Sequence, residues 1–198
     1  MTHPVAYKEL ASSTELKANA QDKRGHLPYQ YTAADCDWSR YHSVLLDPVV
    51  IYRGADQQFG KLSENDKAEL ARYMQLQFTQ ALQSRYAIVA ATSSSTLRIH
   101  VTLTGAETTV PILATVKQLM PLGALVNTVR SAVDKPSRSM GSISYAVEIY
   151  DGISNRLLRA YVSKQYPAAE DIPASVGALS ASEIAIRKGA KSLLAELQ

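Results

Sequence analysis

Arg98 and His100 stand two residues apart in a segment that alternates apolar and polar, Leu97-Arg98-Ile99-His100-Val101-Thr102-Leu103-Thr104. In an extended strand that spacing puts both side chains on one face, so a guanidinium and an imidazole point the same way and could bind an anion. The plainer reading, a solvated strand face, is preferred. Cys36, His42 and Asp47 supply the residue types of a nucleophile, a base and an orienting acid. Nothing in their spacing builds a triad, however, and no G-x-S-x-G turn is present to display a serine. No catalytic residue is therefore assigned. His3, His26, His42 and His100 are spread over separate segments without an H-x-x-x-H pair, so neither a metal site nor a cofactor is expected. Gly54 and Gly60-Lys61 lie between a strand and a helix, where a phosphate-cradling loop would be. The spacing fails, and Leu62 stands where a magnesium-binding Ser or Thr is needed, which leaves a surface loop.

Two apolar groupings could bind rather than react. Tyr29, Tyr31, Tyr41 and Tyr52, with Trp38, could stack on a glycan, but an aromatic arm docked on the domain is the simpler account because such rings supply large buried area. Leu122, Leu125, Val126 and Val129 fall on one face of a helix expected after Pro121, flanked by Arg130, Lys135 and Arg138. An apolar face with a basic rim suits an envelope protein or a membrane surface as partner. The competing and preferred reading has that face simply covering the sheet.

The elements that must position these residues can be read from periodicity. Ser43 to Tyr52 is β-branched and apolar and is interrupted by Pro48, which cannot donate to a ladder. Ser63, followed by Glu64 and Asp66, caps a helix running to about Ser84, with Leu70, Met74, Phe78, Ala81 and Leu82 on one stripe. A short strand near Tyr86–Ala90 and a half-buried one over Thr96–Thr104 follow. Ile143, Tyr145, Val147 and Ile149 alternate with Ser142, Ser144, Ala146 and Glu148, and turn residues from Asp151 to Asn155 return the chain, so 142–166 is a β-hairpin with one wet face. Ser180 and Glu183 match a capping box before a helix that buries Ile186, Ala190, Leu193 and Leu197 and can pair Glu183 with Arg187. The fold expected is α+β: an antiparallel or mixed sheet of about four to six strands with two or three helices mainly on one face.

Composition narrows the class of function. In 198 residues, 21 basic side chains against 18 acidic ones give a net charge of only +3 without basic blocks, which argues against nucleic acid as a partner. One cysteine excludes an internal disulfide. Residues 1–25 mix small and polar types without periodicity and read as a flexible leader, and 26–198 as a single α+β domain. No apolar run in Met1–Ala20 could be a signal-peptide core.

Several local strings resemble a proteobacterial family of small envelope lipoproteins classified only as a domain of unknown function (domain of unknown function 3313). They are Ser39-Arg40-Tyr41 leading into Leu46-Asp47-Pro48-Val49, the strand Leu97 to Thr104, and Gly141-Ser142 opening a hairpin that carries Glu148-Ile149-Tyr150-Asp151. The chain departs from the family at Ala91-Thr92-Ser93-Ser94-Ser95, where a Pro/Gly-rich turn is usual, and at the hairpin turn Ser154-Asn155. The resemblance implies a periplasm-facing domain of the cell envelope at the outer membrane, tethered by its leader to a lipidated cysteine upstream. It carries over no activity. The function expected is non-catalytic binding of another envelope component. The alternatives are a carrier of a small apolar or lipidic ligand held between the sheet and the Leu122 helix, and an enzyme of unknown class.

Overall fold

The computed structural model describes residues 3–107, 141–167 and 179–198. The stretch Leu122–Arg130, with the helix and the interaction face expected there, lies outside the described residues, as does the cavity on which the carrier reading depends.

The fold is α+β, and its sheet is mixed and larger than expected, with eight strands. In chain order these are β1 (Lys17–Ala18), β2 (Tyr29–Thr32), β3 (Ser43–Leu46), β4 (Val50–Ile51), β5 (Ala87–Ile88), β6 (Thr96–Glu107), β7 (Ser142–Asp151) and β8 (Leu157–Gln165). Their spatial order is β1-β2-β8-β7-β6-β3-β5, with β4 also on β6. The extra strands come from segments too short or too polar to show periodicity. The arm around Tyr29 is one of them: it pairs antiparallel with β8, Tyr29 opposite Val162 and Thr32 opposite Arg159.

Pro48 breaks the apolar run from Ser43 to Tyr52 as its missing N–H requires. β3 ends at Leu46 and β4 starts at Val50, and both run parallel to β6. Between them the Val49 N–H donates to the Gln75 side chain at 2.7 Å, so the break leaves no orphan donor there. The parallel pairing of β3 with β6 needs a long crossover, and helix α1 (Glu64–Gln83) lies within it. The α1 start is capped as expected, the Ser63 hydroxyl accepting from the Asp66 N–H at 3.1 Å. The second described helix, α2 (Ser180–Glu196), begins one residue early for the expected box. Leu179 occupies the cap position and makes no side-chain cap bond.

Both helices pack on one face of the sheet. Leu70, Met74, Phe78 and Leu82 of α1 and Ile186 and Leu193 of α2 are fully buried there. They meet Leu97, Ile99, Val101 and Leu103 of β6 and Ile143, Tyr145, Val147 and Ile149 of β7 in one apolar cluster. The helices lie with their C-terminal ends together, the Tyr86 hydroxyl donating to the Leu197 carbonyl at 3.2 Å.

The second face corrects two expectations. Residues 3–18 are not a free leader: they cross this face as a strap, with Tyr7, Leu10 and Leu16 buried against Tyr52, Ala146, Ala160 and Val162. Three buried side chains suffice to dock the segment, although their uneven spacing gives no periodic signal. Because the strap covers it, β7 has no wet face, and Ser144, Ala146 and Glu148 are all buried.

Candidate functional site

The two residues that could bind an anion are brought together with a carboxylate from their own chain. Parallel pairing sets Leu46 opposite Ile99, so Asp47, the next residue, reaches the side chains that flank Ile99 on the strap side of β6. Its carboxylate accepts from Arg98 Nε at 2.8 Å and stands 2.8 Å from His100 Nε2. The Asp47 N–H in turn donates to the Ile99 carbonyl at 3.0 Å. Arg98 and His100 are therefore engaged by an internal anion, at about 38% and 39% side-chain exposure. The cluster pins the β3–β4 connection to the centre of the sheet.

The neighbours of this cluster are polar as well. His100 is directly opposite Glu148 and Arg98 opposite Tyr150 across the β6–β7 ladder. The His100 and Tyr150 rings meet edge to face at 5.2 Å. Burial, with the Glu148 carboxylate close by, pushes the Tyr150 phenol up to about 12. Glu148 accepts the Ser12 N–H of the strap at 2.7 Å. The arrangement joins three segments by charge-assisted bonds, and it sets no nucleophile against a base. Cys36 is not drawn into it: the thiol is half-buried and its pKa is raised chiefly by desolvation, which makes it a poorer nucleophile. Among the described residues no group of three His, Cys, Asp or Glu side chains could hold a metal ion.

On the opposite side of the molecule, α1 and α2 frame an open groove of about 730 Å³. Its floor is apolar, made by Ala81, Ile184, Ala190 and Leu194. Gln77, Gln80 and Ser84 form the α1 wall, while Arg187, Lys188 and Lys191 form the α2 wall. Among the described residues three cations and no carboxylate line it. Lys188 and Lys191 stand in the i, i+3 relation that places side chains on a common helix face, and all three cations are exposed. Arg187 donates across the helix pair to the Tyr73 hydroxyl at 2.9 Å, which keeps its guanidinium at the groove rather than free in solvent. In the sequence Ala81 and Ala190 belong to the buried stripes of their helices and Arg187 is a partner for Glu183, and nothing marks these positions as one groove. The groove exists because two helices nearly a hundred residues apart pack side by side, and no local pattern announces that.

No described helix is long and apolar enough to cross a membrane. The family described as "Protein of unknown function (DUF3313)" matches residues 6–193. No curated protein sequence matches the chain. Among solved structures, the PelC dodecamer from Paraburkholderia phytofirmans is similar at 7% identity, over 83% of this chain and 94% of that one, with a TM-score of 0.42. A DUF4136 family protein from Bacteroides thetaiotaomicron follows at 9% identity over 85% and 95% of the two chains, TM-score 0.39. A PDZ domain protein from Parabacteroides distasonis is matched over 33% of its length and 85% of this chain, at 10% identity and TM-score 0.37. All three scores are low, and none transfers a property to this chain.

Proposed function

The chain belongs to the DUF3313 family of proteins of unknown function, and we propose that it is a non-catalytic, periplasm-facing domain of the cell envelope that binds another envelope component in the groove between α1 and α2. The groove itself carries the reading: an apolar floor edged on one side by Arg187, Lys188 and Lys191 and on the other by amide side chains. Such a surface favours a partner that offers an apolar ridge flanked by Asp or Glu. The floor supplies buried area, and the cations select charge and orient the approach. The envelope setting is supported by the resemblance of the strings between Ser39 and Val162 to envelope lipoproteins.

The test is a photocrosslinking amino acid placed at Gln80, on the groove wall, and separately at Ile153, which is exposed in the hairpin turn. In cells the Gln80 probe is expected to give a discrete adduct with an envelope component, weakened about tenfold by reversing Lys188 and Lys191 to Glu. An adduct from Ile153 alone would move the binding surface elsewhere.

A further inference from the structure

The strap, residues 3–18, is held unlike any other part of the sheet. Its bonds to the second face run to side chains: the Lys8 N–H donates to Asp56 Oδ2 at 3.1 Å, the Glu9 N–H to the Tyr52 hydroxyl at 3.1 Å, and the Ser12 N–H to Glu148 Oε1 at 2.7 Å. Ladder pairing begins only at β1, which is two residues long. Beneath and within it, buried polar atoms are left over. The hydroxyls of Ser12 and Ser144 and the Gln58 side-chain oxygen have no hydrogen-bond partner among the described residues. Tyr7, fully buried in the strap, sits at φ +48°, a left-handed backbone that a bulky side chain rarely adopts. Side-chain anchoring, unpaired buried donors and backbone strain each lower the stability of this segment relative to the β6–β7–β8 ladder.

We infer that residues 3–18 open as a unit while the helix-covered core stays folded, so that the strap is a lid on the second face of the sheet. Opening uncovers an apolar strip of Ala146, Ala160 and Val162 beside Tyr52, and it hydrates the Ser144 hydroxyl, which regains water as a partner. The unit ends at Asn19, which stays anchored by its N–H to the Pro28 carbonyl at 2.8 Å, so the chain pivots between β1 and that bond. The strap's outer side chains, Lys8, Glu9, Glu15 and Lys17, are exposed and lose nothing on opening.

Native-state amide exchange of the full chain, resolved by residue, tests this. The Lys8, Glu9 and Ser12 amides are expected to exchange about a hundredfold or more faster than Val147 and Ile149. Glu148→Leu, which takes away the acceptor for Ser12, should speed the strap by roughly a further tenfold and leave α1 unchanged. If that variant fails to fold, Asp56→Ala removes the Lys8 acceptor at a half-buried position, together with the acceptor of the Tyr52 hydroxyl, and gives the same readout. Strap amides that exchange no faster than Val147, or variants that speed strap and β7 together, would overturn the inference.

Discussion

The two faces of the sheet are closed by different physics. The helix face is sealed by interdigitated apolar side chains: Leu70, Met74, Phe78 and Leu82 are fully buried on it, and the Phe78 and Tyr145 rings meet edge to face at 5.5 Å. The strap face is sealed by three apolar anchors, a buried carboxylate and a set of hydroxyls. Burial of continuous apolar surface is non-directional and strong, whereas a polar seal depends on every donor finding its acceptor. The helix side should therefore carry the stability of the domain, and the strap side its freedom to change.

The largest expected effect lies on the helix face. Phe78→Ala should lower unfolding free energy by about 3–5 kcal/mol, because it removes a ring that the packed sheet cannot collapse around, as urea denaturation would measure. Next is Gly189 on α2, where an added Cβ would stand 2.6 Å from the Tyr145 hydroxyl. Gly189→Ala should cost about 1–3 kcal/mol by overpacking, and Tyr145→Phe in the same chain should recover part of it. Full cost without recovery would place the clash on the ring carbons, 3.0 Å from the added Cβ, which Phe keeps. On the strap face, Leu16→Ala should cost less, about 1–2 kcal/mol, since this side chain keeps some contact with solvent.

The smallest effect concerns the hairpin that joins the two faces. Asp151 accepts from the Ile153 and Ser154 N–H groups and from the Tyr41 hydroxyl. The backbone bond from Ser154 is the leading cause that brings its pKa down to about 2. A folded-state pKa below the unfolded one stabilises the native state above the ordinary carboxylate range, and that contribution disappears as pH falls from about 4 to 2. Solvent screening at this turn limits it to about 1 kcal/mol. Asp151→Asn should flatten the acid limb of a stability-versus-pH curve by that amount. An unchanged limb would assign the acid sensitivity to other carboxylates.

The same contrast explains what the sequence discloses. Helix α1 is legible from Ser63, the acids of its first turn and a stripe at spacings of three and four, and β6 and the hairpin are legible from alternation. These elements bury one face each, so burial imprints a period on the residues. Residues 3–18 bury Tyr7, Leu10 and Leu16 at uneven spacing along an irregular chain, which leaves no period to read. Alternation on β7 misleads for a related reason: Ser144, Ala146 and Glu148 are small or polar because they face the strap, with its apolar anchors and its backbone donor at Ser12, not water. Arg98 and His100 were legible as neighbours on one face, but the Asp47 that engages them arrives through a parallel register that no local pattern fixes. The groove is the least visible feature, since Gln80 and Lys191 share it only once α1 and α2 have packed.

The most direct test of the groove as the binding surface compares the Gln80 crosslink in two backgrounds, one with Lys188→Glu and Lys191→Glu on the helix side, the other with Leu10→Ala on the strap side. The account predicts that the adduct falls about tenfold in the first and persists in the second. An adduct that survives charge reversal and is lost with the strap variant would contradict it and place the binding surface on the opposite face of the sheet.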